Sequence, residues 1–191
     1  MALLLATCFV LFAIVARVLI HYHFTGDHGI RLAKPNAPLI EILPGSFFIL
    51  SFIVSLLLIL FEHLELLNLY YALPPPLVLI GTVLGLTGIA IIVIAQWQMG
   101  HAWRIGVDQS ERTELIVTGL YTRSRNPIYL GILMYWVGLV MVFPHLFMLI
   151  CALVCWLCIE LIVRKIEEPF LRRLHGQAYD DYCSRTNRYL L

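Results

Sequence analysis

The sequence predicts an all-α membrane protein: a polytopic bundle of five transmembrane helices with a cytoplasmic C-terminal helical segment. Three observations predict it. Of the 191 residues, 61% are hydrophobic and 13% charged, against about 45–50% apolar and about 25% charged in soluble domains. Five apolar runs approach the roughly 20 residues that a helix needs to cross a bilayer. All 13 Lys and Arg residues fall on one side of such a five-span chain, in the alternate connections, the tail or, for Arg17, the adjoining end of the first span. A net charge of +1 gives no general attraction to polyanions, so a nucleic-acid partner is not expected.

The first span covers residues 2–20. It lacks a basic leading region and a small-residue cleavage site, and reads as a retained helix. The second covers residues 42–61, and the third covers 77–99 after the stop at Pro74, Pro75 and Pro76. Residues 128–143 and 146–163 form the last pair. Only Pro144 and His145 separate them, which demands an antiparallel hairpin. Gly81, Gly85 and Gly88 form a small-residue stripe along the third span, of the kind that lets membrane helices approach closely. Cys151, Cys155 and Cys158 share a face of the fifth and read as small packed hydrophobes, and Cys183 is uninformative. His21, His23 and His28 lie where the first span ends and read as an interfacial loop, with no metal expected.

Arg17, Arg31 and Lys34 flank the first connection on one side. Arg104, Arg112, Arg123 and Arg125 occupy the third, and Arg164, Lys165, Arg172, Arg173, Arg185 and Arg188 follow the last span. The positive-inside rule makes that side cytoplasmic and puts the N-terminus outside. The long connection 100–127 and the tail 164–191 lie there, and connections of that length in a small bundle usually carry function.

Trp103 and Arg104 either anchor a helix end or face an inner cavity. Arg125, Asn126, Pro127 and Tyr129 crowd the start of the fourth span. Pro127 suits a first helical position, and the unpaired N–H groups after it beside Arg125 make a natural anion site. Glu160 and Arg164 make an i,i+4 pair. Glu167 and Glu168 follow. Being adjacent, they point to different sides of a helix, and at most one need face inward. A short helix 170–175, ended by Gly176, is expected next. Beyond it Tyr179, Tyr182, Arg185 and Arg188 recur at spacing three, a polar aromatic-basic stripe on one helix.

The run from Arg125 to Gly131, the hairpin, then Glu167, Glu168, Leu171, Gly176, Tyr179, Tyr182 and Arg188 together resemble the isoprenylcysteine carboxyl methyltransferase family. Related phospholipid methyltransferases of the membrane share the pattern. Trp103 to Gly106 and Gly119 to Tyr121 fit the resemblance, which covers residues 100–191. It implies an enzyme that binds S-adenosyl-L-methionine on the cytoplasmic side of the C-terminal half, with the Arg-x-Pro arginine, its neighbours and the glutamate pair around the cofactor. Asn126 stands where the family usually has histidine, so a titrating imidazole is not carried over, whereas a hydrogen-bonding role is.

The residue types agree with that implication. Glu167 or Glu168 offers a carboxylate for an ammonium, Arg125 or Arg188 offers donors for a carboxylate, and Tyr121, Tyr129, Tyr179 or Tyr182 offers an aromatic face. The expected cofactor shell is therefore Tyr121, Arg125, Asn126, Pro127, Tyr129, Glu167, Glu168, Tyr179, Tyr182 and Arg188. Trp103 and Arg104 are expected on the acceptor side, and Arg104, Glu167 and Arg125 at the chemistry. The acceptor would be a lipophilic or lipid-modified molecule taken from the membrane. Three helices (1–99) would hold the bundle, and residues 100–191 would form the cofactor region. Two other readings are an NADPH-dependent reductase of the sterol type and a non-enzymatic membrane scaffold.

Overall fold

The computed structural model describes residues 1–30, 38–67, 73–104, 106 and 114–189. The expected basic positions Arg31, Lys34 and Arg112 lie outside the described residues. Among those described, every regular element is helical. Helix α1 covers Ala2–Thr25 and α2 Leu39–His63, while α3 is Pro75–Met99. Helix α4 covers Pro127–Val142 and α5 Leu146–Ile162. A π-helical turn, Val163–Glu167, joins α5 to α6 (Glu168–His175), and α7 (Gln177–Arg185) follows.

Four helical stretches are long and apolar enough to cross a membrane: Ala2–Thr25, Leu39–His63, Pro75–Ala102 and Leu146–His175. The stretch expected as the fourth span forms α4, which is apolar but only 16 residues long. At about 1.5 Å per residue it falls short of a 30 Å hydrocarbon core. Large apolar side chains face outward from these helices, among them Leu19, Phe47, Leu79 and Leu153.

The tightest contact in the bundle is the antiparallel pair α3–α4. A Cβ placed on Gly131 would lie 2.6 Å from the Gly88 carbonyl oxygen, and one on Gly138 would lie 2.5 Å from that of Gly81. Backbone therefore meets backbone, and the glycine stripe expected on α3 meets a second stripe on α4. Phe9 of α1 stacks on Tyr135 of α4 at 4.4 Å and on Phe52 of α2 at 4.9 Å, and Phe52 meets the Trp136 ring edge at 5.1 Å. Cys151, Cys155 and Cys158 are buried as free thiols, within the core that α5 shares with α2.

The first helix runs further than its apolar stretch. It ends at Thr25, capped by Gly26, because His21 and His23 continue the turn instead of forming a loop. His21 is buried and its ring edge meets Trp103 at 5.4 Å. Residues Phe9–Val15 form a π-helical stretch. Within it the Ala13 carbonyl accepts a bond from Gln96 Nε2 at 2.9 Å, a buried polar tie between α1 and α3.

Candidate active site

Two chain segments form the site. One is the approach to α4, where a short 3₁₀ turn, Gly119–Thr122, delivers Tyr121 to the bundle end. Leu120 N–H donates to Gln98 Oε1 at 2.8 Å, and Tyr121 is buried with its hydroxyl toward the Ala95 carbonyl at 3.4 Å. The other is the segment after α5. Gly176 has φ +55°, a value that favours glycine, and there the chain turns from α6 into α7. That turn brings the tail back over the N-terminus of α4.

The tail is then fastened to that N-terminus. Arg125 N–H donates to the Asn187 carbonyl at 2.9 Å. The Arg188 carbonyl accepts from Asn126 Nδ2 at 3.1 Å and from Ser124 Oγ at 3.3 Å. Tyr182 donates to the Tyr121 carbonyl at 2.6 Å. Tyr179 and Tyr182 are both buried. Burial pushes the Tyr182 hydroxyl up to about 12 and raises those of Tyr121 and Tyr179 as well. All three are protonated donors at neutral pH, which removes phenolate chemistry from the site.

The two glutamates have different partners. Glu168 is gripped by Arg188, Nε to Oε1 at 2.7 Å and Nη2 to Oε2 at 2.9 Å, a two-point guanidinium–carboxylate pair. Arg125 Nη1 stands 3.5 Å from the same Oε1 and donates to Cys183 Sγ at 2.6 Å. Two arginines thus face one carboxylate, leaving one positive charge in excess. Arg125 Nε is buried with no hydrogen-bond partner. Among the described residues Glu167 accepts one hydrogen bond, from the Tyr129 hydroxyl to Oε1 at 2.6 Å. Arg104 lies within electrostatic reach of Glu167, its guanidinium 5.7 Å from the centre of the Phe170 ring.

The sequence profile of the phospholipid methyltransferase family matches residues 76–178, more than half of the chain. The protein belongs to the phospholipid methyltransferase family. No curated protein matches the chain. Membership makes it a membrane methyltransferase for a lipid-type substrate, and sets it apart from the reductase and scaffold readings. The family match takes in α3, α4, the hairpin and α6, with Arg104, Tyr121, Arg125, Tyr129, Glu167 and Glu168 inside it. Tyr182, Cys183 and Arg188 lie beyond its end.

The structure brings together Tyr121, Arg125, Asn126, Tyr129, Glu167, Glu168, Tyr179, Tyr182 and Arg188 at one end of the bundle, with Pro127 opening α4. Two expectations need correction. Glu167 and Glu168 both engage partners on the α4 and tail side, because α4 presents Tyr129 to Glu167 at the end of the π-turn and the returning tail presents Arg188 to Glu168. Arg188 is not on the α7 face, since α7 ends at Arg185. It reaches Glu168 from the extended tail. Trp103 is buried, with Arg17 4.8 Å over its ring, and Arg17 Nη2 donates to the Gly100 carbonyl at 2.5 Å. Cys183 and Arg17 carried no sequence signal of a role here, because each acts through a partner far away in the chain.

Proposed function

We propose that this protein transfers the methyl group of S-adenosyl-L-methionine to a lipophilic acceptor drawn from the membrane. The observation that carries the reading is Glu167. Among the described residues its hydrogen-bond partner is Tyr129, and it is set beside an arginine pair that shares the Glu168 carboxylate and whose Arg125 Nε has no hydrogen-bond partner there.

The residues fit the cofactor's head group. Glu167 offers Oε2 to an ammonium, the Arg125–Arg188 pair offers donors to a carboxylate, and Tyr179 and Tyr121 offer aromatic surface. The cofactor, when bound, supplies a methyl group activated by a sulfonium. The chain's own part is alignment. Tyr129 fixes the Glu167 carboxylate, and Glu168 holds Arg125 and Arg188 in register with the start of α4. Arg104, steadied on Phe170, favours a negatively charged acceptor near Glu167. Positioning of this kind supplies most of the acceleration of an in-line displacement. Asn126 hydrogen-bonds the tail backbone and is no base. A carboxylate, thiolate or lipid head group that reacts without a poised imidazole is therefore the preferred acceptor, over an amine that must first lose a proton.

The topology that serves this chemistry has five spans, with the N-terminus outside and the site cytoplasmic. Helix α4 crosses alongside α3, to which its glycines fasten it, and its shortness is met by local thinning of the bilayer. The side-chain charge distribution supports that orientation. Residues 1–99 act as the holder and residues 100–191 carry the site.

The test is to incubate membranes containing the protein with methyl-labelled S-adenosyl-L-methionine and to count the organic extract. Label in a lipid fraction, absent from membranes carrying Glu167→Gln, is the expected result. No label in any fraction with the unaltered protein overturns the proposal.

A further inference from the structure

The helical segment that carries Glu167 and Glu168 has a second charged face. Glu167 and Glu168 engage partners on the α4 and tail side. Lys165, Pro169, Arg172 and Arg173 form a second face of the same segment. The second face turns away from the methyl-transfer site and toward the start of α2. There it lines a pocket of about 410 Å³ with Ile166, Phe170 and Glu41.

Charge and depth say what this pocket fits. Three cations against one carboxylate leave it positive. Lys165 and Arg173 make no hydrogen bond or ion pair within the described residues, and Arg172 gives its Nε to Asp180 at 2.7 Å. Lys165 lies just past the apolar end of α5, and Glu41 is in the first turn of α2. The pocket therefore sits where two apolar helices leave the hydrocarbon layer, the level of lipid head groups. Deeper along α2, Leu43, Phe47 and Leu50 are exposed at helical spacing, an apolar track for acyl chains. Unpaired cations above such a track are the donor set for a phosphate held at the membrane surface.

We propose that this pocket binds the phosphate of an anionic phospholipid, a second lipid distinct from the methyl acceptor. Lys165 and Arg173 hold the phosphate, Pro169 and Ile166 pack against the glycerol region, and Glu41 disfavours head groups with additional negative charge nearby. Phe170 touches both neighbourhoods: it lines this pocket, and the Arg104 guanidinium lies 5.7 Å from the centre of its ring. An anionic lipid in the pocket thereby bears on the residue that supports Arg104.

The experiment is a thermal-shift titration of the full chain in neutral detergent with dioctanoyl phosphatidic acid, dioctanoyl phosphatidylethanolamine and inorganic phosphate. Phosphatidic acid raises Tm by roughly 8 °C at a hundredfold excess over Kd, and the other two raise it by less than about 1 °C. In the Lys165→Gln, Arg173→Gln double variant the phosphatidic acid shift disappears, while Tm without lipid is unchanged within about 1 °C, both changes being on exposed side chains. An equal shift with phosphatidylethanolamine overturns the anionic preference, and an equal shift with inorganic phosphate overturns the lipid. A shift retained in the double variant overturns the location. None of these readouts depends on methyl transfer.

Discussion

The two faces of the helical segment around residues 160–173 treat charge in opposite ways. On the face toward α4 the charges are closed within the chain: Glu160 with Arg164 at 2.5 Å, Glu167 with Tyr129, and Glu168 with Arg188 and Arg125. On the face toward α2, Lys165 and Arg173 have no partner within the described residues. A carboxylate near the membrane boundary is costly unless it is paired, and the tail returns over α4 to pair Glu168. A lysine or arginine at the same depth can extend to the head-group layer, so the chain need not return to meet it. The difference separates charge used to build a site from charge left to meet the membrane.

The comparison breaks most visibly at Glu167. Glu167→Gln keeps the Tyr129 hydroxyl bonded but removes the charge. It is expected to lower kcat/KM for methyl transfer by about 10²-fold or more, with Tm within about 2 °C of the unaltered protein. An unchanged kcat/KM would mean that the inward face does not serve the reaction.

The Glu168 latch tests the structural half. Glu168→Gln or Arg188→Ala opens a largely buried ion pair and is expected to cost on the order of 2 kcal/mol, less than a fully buried pair because Arg188 keeps some exposure. In thermal unfolding that lowers Tm by roughly 6 °C. The double variant should cost little more than the worse single one, since both remove the same interaction.

Tyr129→Phe sharpens the division of labour further. It removes one bond to a carboxylate, of about 1.5 kcal/mol, and should lower Tm by roughly 4 °C and kcat/KM by about tenfold. The smallest effect belongs to the outward face. Arg173→Gln should change stability in neutral detergent by less than about 0.5 kcal/mol, measurable by denaturant titration, where the same charge removal at Arg188 does not go unnoticed.

Hydropathy located the spans because burial in lipid demands long apolar runs, and α1, α2, α3 and α5 follow them. The residues of the site were legible as an order of motifs, from Arg125 through Glu167 and Glu168 to Arg188. Their pairing was not. Which glutamate meets Tyr129 depends on the π-turn at Val163–Glu167, and an inserted π-turn leaves no mark on a hydrophobic pattern read at helical period. Arg188 looked like the end of a helical stripe because spacing three continues past Arg185, whereas the chain leaves the helix there to reach Glu168. Gly131 and Gly138 were present in the sequence, but the close approach to Gly88 and Gly81 is a property of two helices, and one helix alone does not state it.

The most direct measurement is calorimetric titration of S-adenosylhomocysteine into the purified protein and into its Glu167→Gln variant. The account predicts saturable binding to the unaltered protein and at least about tenfold weaker binding to the variant, a difference of about 1.4 kcal/mol. No binding at millimolar ligand, or equal affinity for the two proteins, would contradict it.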